Sequence, residues 1–266
     1  MSYKIKYAYT CSRGRVRKNN EDNYWVLGSY LEKINGGMAT IVEGETWKKN
    51  VPAFAVFDGM GGESCGETAA FLAADVFDEC YQEEEGDCRD YVEEFLQETC
   101  QRMNQAVCDY ARDNRISCMG TTAAMMLFGR NRIGVCNVGD SRIYQMYEDH
   151  FQQISQDHVA HLQNYRKAPL TQYIGLPSEE ARLMPYTVSG TYHDGDRFLI
   201  CTDGLTDMLS DQEIWQITDS YEEVKDGVFY LLQAAMERGG RDNTTIILCE
   251  LVEVREILPA ILVSVY

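Results

Sequence analysis

Four short acidic motifs constrain how this chain can fold, because each lies at the end of an apolar, strand-like run or in the turn beside one. They are Asn20-Glu21-Asp22, Asp58-Gly59-Met60-Gly61-Gly62, Asp203-Gly204 and Asp242-Asn243. Carboxylates that converge from distant strand ends repel one another and stay buried only if a cation neutralises them. The alternative is four unrelated turns in which Asp and Gly act only as turn residues. The repetition favours a metal site with oxygen ligands.

Length and charge limit the classes of protein that fit. The chain has 266 residues, and no linker rich in Pro, Gly or Ser divides it. We therefore interpret residues 1–254 as one domain and residues 255–266 as an apolar tail. The formal net charge of −18 argues against a nucleic-acid partner, because binding phosphates requires a basic face. No apolar run approaches the roughly 20 residues of a spanning helix, so we expect no membrane span.

The placement of the ten cysteines indicates a reducing compartment. None of them forms a Cys-x-x-Cys pair, and most lie within apolar periodic segments. This pattern is typical of buried, reduced thiols rather than of a disulfide framework or a zinc site. Because the N-terminus also lacks the apolar core of a secretion signal, the sequence predicts a cytoplasmic protein.

Hydrophobic periodicity predicts a chain of mixed strands and helices. The predicted strands are residues 4–9, 23–27, 53–57, 122–128, 133–138, 142–147, 197–201 and 245–251, and the predicted helices are about 63–80, 91–111, 211–217 and 221–238. Short turns join the strands between residues 122 and 154, which indicates an antiparallel meander rather than βαβ units. Strands with two helix pairs interposed predict sheets sandwiched between helical layers, an α+β arrangement.

The glycine-rich turn after Phe57 has more than one interpretation. Such a turn between a strand and a helix can hold a phosphate at the helix N-terminus. The spacing, however, is neither G-x-G-x-x-G nor a P-loop, and no Lys follows. The glycines can instead let the backbone fold beside Asp58, so that the Gly59 carbonyl joins the carboxylate as an oxygen ligand. For this motif alone, a strand-to-helix turn capped by Asp58 is a further alternative.

Arg17 adds a cation five residues before Asp22. The planar guanidinium group of arginine suits a phosphate dianion. In isolation Arg17 would be interpreted as an ordinary surface arginine. Beside a cluster of carboxylates and metal, it indicates a phosphorylated substrate.

Eight segments follow one another between about residues 7 and 250. They are Arg17-x-x-Asn20-Glu21-Asp22, Phe54-Ala-Val-Phe-Asp58-Gly-Met-Gly-Gly62, Gly120-Thr121-Thr122, Asn137-Val-Gly139-Asp140-Ser141-Arg142, Asp157-His158, Leu170-Thr171-x-x-Ile174-Gly175, Thr202-Asp203-Gly204-Leu205-x-Asp207 and Arg241-Asp242-Asn243. This order resembles the metal-dependent serine/threonine protein phosphatases of the 2C type, and Met60 after Asp58-Gly59 resembles their bacterial branch. The resemblance implies a four-layer α-β-β-α sandwich with two central, mainly antiparallel sheets and a binuclear Mn²⁺ or Mg²⁺ centre at one edge.

The resemblance also implies roles for individual residues. Asp58 would bridge the two ions and Arg17 would bind the substrate phosphate, which makes these two the expected catalytic residues. The other metal ligands would be Glu21, Asp22, the Gly59 carbonyl, Asp203 and Asp242, some of them through water. Asn243, Asp140 and Thr121-Thr122 would support the fold or the metal ligands, and His158 is interpreted as a residue that supports the fold.

Three departures from the family pattern affect these expectations. Met60 lies where some members carry a histidine as general acid, so the leaving oxygen would take its proton from metal-bound water. Ser117-Cys118-Met119 replaces an acidic residue that supports a third ion in many relatives, which argues against a third ion here. Only residues 159–169 separate Asp157-His158 from Leu170-Thr171, where the family usually has a longer insertion, so we expect a shortened flap.

The implied function is hydrolysis of phosphoserine and phosphothreonine by a hydroxide that bridges two metal ions. The expected partners are phosphorylated proteins, namely a bacterial serine/threonine kinase and its targets. The departures leave two alternatives: a weakly active or inactive regulator that binds phosphorylated proteins, and a hydrolase of small phosphomonoesters.

Overall fold

The structure is a computed structural model that describes residues 2–61, 65–84, 87–160 and 168–254. The apolar tail of residues 255–266 and most of the flap expected at residues 159–169 lie outside these described residues. None of the helices in the described part of the chain has the length and apolar character needed to span a bilayer.

The described residues form twelve strands and five α-helices. The strands are β1 (Ser2–Ser12), β2 (Asp22–Val26), β3 (Val42–Trp47), β4 (Ala53–Met60), β5 (Gly120–Thr121), β6 (Ala123–Phe128), β7 (Ile133–Val138), β8 (Arg142–Tyr147), β9 (His150–Gln153), β10 (Tyr186–Gly190), β11 (Arg197–Cys201) and β12 (Thr244–Val254). The helices are α1 (Gly66–Glu83), α2 (Val92–Asp113), α3 (Asp203–Thr206), α4 (Asp211–Ser220) and α5 (Val224–Glu237).

The strands form two antiparallel sheets. Sheet A has the order β3-β1-β12-β11-β8-β9, and sheet B has the order β10-β7-β6-β4-β2 with the short strand β5 paired to the end of β4. The first and last strands, β1 and β12, pair along eleven residues in the interior of sheet A. The single antiparallel meander predicted between residues 122 and 154 is wrong: β6 and β7 pair in sheet B, whereas β8 and β9 pair in sheet A, because the chain crosses from one sheet to the other between β7 and β8.

Three apolar clusters hold the layers together. Phe77 of α1 and Leu96 of α2 belong to a cluster that covers the outer face of sheet B. Phe54 and Phe198, one from each sheet, pack in a second cluster between the sheets. Leu231 of α5 belongs to a third cluster, which covers the outer face of sheet A. Burying each of these large side chains contributes about 1.5–3 kcal/mol. The expected α-β-β-α sandwich is confirmed.

Agreement between predicted and observed elements depends on burial. The bounds predicted for β7, β8 and β11 match the observed strands, because most apolar residues of these strands are buried. Strands β3, β9 and β10 are not predicted, since they are polar or half-exposed and lack a clear alternation. Helix α1 continues beyond the predicted end at residue 80, and α5 begins at Val224 rather than at residue 221.

Antiparallel pairing brings the acidic motifs to one end of the sandwich. The start of one antiparallel strand meets the end of its neighbour. Asp22 at the start of β2 therefore lies opposite Asp58 near the end of β4. In sheet A, the end of β11 meets the start of β12 in the same way, which places Asp203 beside Asp242.

Candidate metal centre

Asp22 is the most buried carboxylate of the centre. One oxygen, Oδ2, accepts hydrogen bonds from the hydroxyls of Thr202 (2.8 Å) and Thr245 (2.7 Å), which belong to the other sheet. The second oxygen, Oδ1, is buried and has no hydrogen-bond partner among the described residues. Burial raises the pKa of Asp22 to about 8, against the lowering effect of the two threonine hydroxyls. An unpartnered buried carboxylate oxygen is the kind of atom that a cation would satisfy.

A very close backbone contact joins the third and fourth motifs. The α-carbon of Gly204 faces the carbonyl of Asn243 so closely that a Cβ there would lie 1.8 Å from that oxygen. Only glycine leaves room for this approach. The contact places Asp203, which begins α3, beside Asp242, and it explains why glycine follows the aspartate in the third motif.

Asn243 connects the fourth motif to the first. Its buried side-chain amide donates to the carbonyls of Arg13 (2.9 Å) and Asn19 (3.0 Å), while its Oδ1 accepts from the Glu21 N–H (2.8 Å). Gly14, with φ of +75°, packs its backbone against the carbonyl of Asp242 in the same contact. All three side-chain hydrogen bonds of Asn243 therefore hold the loop that carries Arg17 and Glu21. The expected supporting role of Asn243 agrees with these contacts.

Glu21 and Gly59 meet at the start of α1. The Gly59 N–H donates to the Glu21 carbonyl at 3.1 Å. A Cβ at Gly66 would lie 2.9 Å from both the Glu21 Oε2 and the Gly59 carbonyl oxygen, so these two oxygens face one point. Burial and the nearby carboxylate of Glu67 raise the pKa of Glu21. The Glu67 Oε2 is itself buried and lacks a hydrogen-bond partner among the described residues.

Arg17 pairs with one of the expected metal ligands. Its Nη2 lies 2.7 Å from the Oδ2 of Asp242, and the arginine side chain is about half exposed, at 48%. The structure thus brings Arg17 to the edge of the acidic centre, as the sequence predicts. It also shows the guanidinium group neutralised by a carboxylate.

A cleft of about 320 Å³ opens beside Asp58 and Asp203. Met60, Asp140 and Leu170 also line it. The residue that stands in place of the histidine of some family members therefore faces this cleft. These walls come from both sheets. The cleft therefore exists only where the two sheets meet.

Hydroxyl groups hold the floor of this cleft. The Asp58 N–H donates to the Thr122 Oγ1 at 3.0 Å, and that hydroxyl lies 2.7 Å from the Ser141 Oγ. The Thr122 N–H donates in turn to the Asp58 carbonyl at 2.9 Å. Thr122 therefore fixes the backbone of Asp58 from both sides.

Thr121 and His158 support the fold rather than face the cleft. Thr121 exchanges two backbone hydrogen bonds with Ile174, at 2.9 and 2.8 Å. His158 accepts from the Gly139 N–H through Nδ1 at 3.2 Å, and burial lowers the pKa of its imidazole. A neutral histidine that accepts a backbone hydrogen bond agrees with the interpretation of His158 as a residue that supports the fold.

The donor set fits a hard divalent cation. It consists of carboxylates and one backbone carbonyl, the oxygen ligands that Mg²⁺ and Mn²⁺ prefer. Among the described residues, no three His, Cys, Asp or Glu side chains already surround a common point at ligand distance. An ion held here would have water among its ligands, as Mg²⁺ usually does in proteins.

The sequence profile described as Protein phosphatase 2C matches residues 44–238. The chain belongs to this family. The resemblance inferred from the motif order is therefore confirmed, and the two six-stranded antiparallel sheets between helices are the fold of this phosphatase family.

Two curated relatives of this family cover almost the whole chain. The serine/threonine phosphatase stp of Listeria innocua is 28% identical over 258 residues, which are 91% of this chain and 94% of that protein. The serine/threonine protein phosphatase PstP of Mycobacterium tuberculosis is 27% identical over 94% of this chain and 45% of that protein.

A crystal structure of the PstP catalytic domain, in complex with two manganese ions, superposes with a TM-score of 0.75. It is 25% identical and covers 94% of this chain and 100% of that chain. A structure of the S. agalactiae serine/threonine phosphatase, 22% identical with a TM-score of 0.77, has the same fold and covers 94% and 100% of the two chains.

Several residues of this 2C-type phosphatase were missed by sequence reasoning. They are the hydroxyls of Thr202, Thr245 and Ser141 around Asp22 and Asp58, and the carboxylate of Glu67. The sequence offers one sign of these residues: each lies within nine residues of a predicted ligand or inside a motif segment. Threonine in a buried strand is ordinary, so its hydrogen-bonding role becomes visible only in the fold.

Proposed function

We propose that this protein serine/threonine phosphatase hydrolyses phosphoserine and phosphothreonine at the centre formed by its four acidic motifs. The carrying observation is that Asp58, in sheet B, and Asp203, at the start of α3 just after strand β11 of sheet A, line one cleft beside the unpartnered buried oxygen of Asp22. We extend the catalytic domain over residues 1–254, as the sequence predicts.

The proposed ligands are those expected from the motifs, and the cations are Mn²⁺ or Mg²⁺. When bound, two such ions supply Lewis acidity and lower the pKa of the water that attacks phosphorus. Asp58, Asp22 and Asp203 would hold the ions at the meeting of the two sheets, with Asp242 at the rim. Glu21, Gly59 and Glu67 supply further oxygens at the start of α1, directly or through water. The two manganese ions in the PstP structure support the choice of metal for this chain.

Arg17 binds the substrate phosphate in place of the Asp242 carboxylate. Its guanidinium group is paired with Asp242 at the rim and is half exposed. A phosphate dianion offers the same oxygen acceptors with a larger charge, so it competes for the fork of Arg17. The carboxylate released by this exchange is then available as a metal ligand.

The leaving serine or threonine oxygen needs a proton that Met60 cannot supply. The thioether of Met60 lines the cleft and carries no acidic hydrogen. His158 is held by Gly139 and remains outside the set of cleft-lining residues. Protonation therefore falls to water in this open cleft.

The proposed setting is a bacterial cytoplasm, with proteins phosphorylated by a serine/threonine kinase as substrates. All ten cysteines are free thiols, which is the usual state in a reducing compartment. The names of the Listeria and Mycobacterium relatives support phosphoprotein substrates.

The test is hydrolysis of p-nitrophenyl phosphate and of a phosphothreonine peptide with and without Mn²⁺. We expect Asp58→Asn and Asp203→Asn each to lower kcat/KM by more than about a hundredfold, beyond the effect of residues that only orient a ligand. Isothermal calorimetry should show weaker Mn²⁺ binding in both variants.

Asp113→Asn is the matched control. Asp113 is an exposed carboxylate at the end of α2, and it is the nearest acid to the Gly120 motif on its N-terminal side. Its variant should keep wild-type rates. Unchanged rates in Asp203→Asn would exclude the proposed centre. Tight Mn²⁺ binding without turnover of any phosphopeptide would indicate the regulator instead, and turnover confined to p-nitrophenyl phosphate would indicate a small-molecule hydrolase.

A further inference from the structure

A basic cleft lies in this otherwise acidic chain, away from the catalytic centre. Lys48, Lys49, Arg89 and Arg130 line a single opening of about 210 Å³, with the aromatic ring of Phe128 in its wall. The chain carries 42 acidic and 24 basic residues, so four cations around one opening are an unusual local excess. No carboxylate is among the residues that line it.

This basic cleft lies at the opposite end of the sandwich from the acidic motifs. Ser2, at the first end of β1, lines the cleft, whereas Ser12, at the other end, pairs with Thr244 beside the catalytic centre. Ten residues of extended strand separate the two ends by roughly 30 Å. A phosphoryl group in the basic cleft is therefore out of reach of Asp58.

Three of the four cations have no acidic partner among the residues that the structure describes. Arg130 forms a two-pronged pair with Asp90, at 2.7 and 2.9 Å. No carboxylate among the described side chains pairs with Lys48, Lys49 or Arg89. The cleft thus keeps a surplus of positive charge, which an anion would neutralise.

Lys48 is held in place at the cleft by neutral groups. Its ammonium donates to the carbonyl of Arg130 and lies 5.0 Å from the ring centroid of Tyr192. Burial, with the nearby Arg130 guanidinium as a second cause, lowers the pKa of Lys48. A lysine whose charge is disfavoured by burial and by a neighbouring cation is stabilised when an anion arrives.

Ordered backbone positions the arginines of the cleft. The Arg130 N–H donates to the Arg89 carbonyl at 2.9 Å, and the Tyr192 hydroxyl donates to the Arg130 carbonyl at 3.0 Å. These bonds fix the backbone from which the two guanidinium groups extend. The cations thus come from three separate segments, which the fold brings together, and not from one charged run of the sequence.

We propose that the basic cleft binds a phosphate group, as a second anion site distinct from the catalytic centre. The Arg89 guanidinium fork, the Arg130 donors that are not paired with Asp90 and two ammonium groups match the several oxygens and the double charge of a phosphate better than they match one carboxylate. The opening accommodates a phosphorylated side chain or a pyrophosphate. The phosphate group can come from a free anion or from a second phosphorylated residue of a protein substrate.

The test is calorimetric binding of inorganic phosphate, pyrophosphate and a phosphothreonine peptide to the full chain after removal of metal by a chelator. Metal removal weakens phosphate binding at the catalytic centre, and any binding that Arg17 retains there is the same in wild type and in the variants. We expect the double variant Lys49→Ala/Arg89→Ala to bind the tightest of these probes at least about tenfold more weakly than wild type, because it loses two charge-assisted contacts.

The matched control is Lys225→Ala/Arg182→Ala, which removes the same number of charges from exposed positions outside the basic cleft. It should retain wild-type binding, which separates a local site from the effect of net charge. Tighter binding of the phosphothreonine peptide than of its unphosphorylated form and of the free anions assigns the site to a protein-borne phosphate. Equal or tighter binding of the free anions assigns it to a small anion.

Two results would overturn the proposal. One is equal binding by wild type and the Lys49→Ala/Arg89→Ala variant, with both shown to be folded by circular dichroism. The other is an equal loss in the control variant. Neither result depends on turnover, so a failure here is distinguishable from a failure of the proposed phosphatase centre.

Discussion

The two ends of the sandwich are built from the same strands but by opposite means. At the end that carries the proposed metal centre, the catalytic end, buried carboxylates are held by hydroxyls and by backbone contacts that leave no room for an extra atom, as between Gly204 and Asn243. At the other end, exposed cations such as Lys49 and Arg89 surround an open cleft. The comparison shows that buried charges need fixed hydrogen-bond partners, whereas exposed charges are stabilised by solvent.

The largest expected effect comes from adding one methyl group at the catalytic end. In Gly204→Ala the new Cβ would lie 1.8 Å from a backbone oxygen, so the turn that carries Asp203 has to move. We expect a loss of more than about 4 kcal/mol in unfolding free energy, measured with urea, or an insoluble chain. Gly36→Ala is the control, since nothing lies within 4 Å of its position and a change below about 0.5 kcal/mol is expected.

Next in size is loss of the amide that joins two acidic motifs. Asn243→Ala removes three hydrogen bonds and leaves the carbonyls of Arg13 and Asn19 without their donor. We expect about 3 kcal/mol less unfolding free energy and roughly tenfold to a hundredfold weaker Mn²⁺ binding. Asn114→Ala, which breaks one exposed hydrogen bond to Tyr110, should change neither measurement by as much. Wild-type Mn²⁺ affinity in Asn243→Ala would contradict the role given to this residue.

The pH dependence of the metal-free protein separates the two ends further. The folded-state pKa of Asp22 is raised to about 8, so the folded chain keeps a proton that the unfolded chain releases near pH 4. Stability is therefore highest below that unfolded value and falls by about 1.4 kcal/mol for each pH unit between the two values. Glu21, whose pKa is also raised, adds in the same direction. Thermal unfolding from pH 5 to 7 after chelation measures the slope.

Two comparisons make this pH experiment decisive. Asp22→Asn removes the titrating group and should flatten the profile, and added Mn²⁺ should restore stability at pH 7 in the wild type. A metal-free wild type whose unfolding temperature stays constant from pH 5 to 7 would show that Asp22 is not held as described.

The smallest effect is expected at the basic end. Asp90→Asn breaks the two-pronged pair with Arg130, but both side chains are more than half exposed. Solvent screens such a pair, so the loss of unfolding free energy should be the smallest among these variants and should shrink in high salt. Urea unfolding at low and high salt measures it, and a loss as large as that of Asn243→Ala would remove the contrast between the two ends.

Much of the catalytic end is predictable because its residues follow strict local patterns. Asp58 follows the buried apolar residues 53–57 of β4, and Asp203 lies two residues after the end of β11, so both patterns are visible in the linear sequence. The elements β7, β8 and β11 are predictable too, because their apolar residues are mostly buried. Where burial sets the pattern, sequence alone predicts both the element and the acidic residue at its end.

Other features depend on contacts that no local pattern encodes. The pairing of Arg17 with Asp242 joins residues 225 positions apart. The hydroxyls of Thr202 and Thr245 meet on Asp22 only because the two sheets stack. Similarly, Lys48, Arg89 and Arg130 come from three segments, and a sequence of net charge −18 gives no sign that they converge.

The pairing of β1 with β12 gives the chain an order of assembly. Arg17 follows β1, whereas Asp242 and Asn243 come just before β12, and these residues contact one another across nearly the whole length of the sequence. Closing so long a loop is slow compared with forming the local hairpins of the sandwich. During synthesis, the acidic loop cannot dock before residues 242–254 have left the ribosome. If the proposed assignment of the site holds, a growing chain lacks a complete catalytic centre, and we expect phosphatase activity only once β12 is in place.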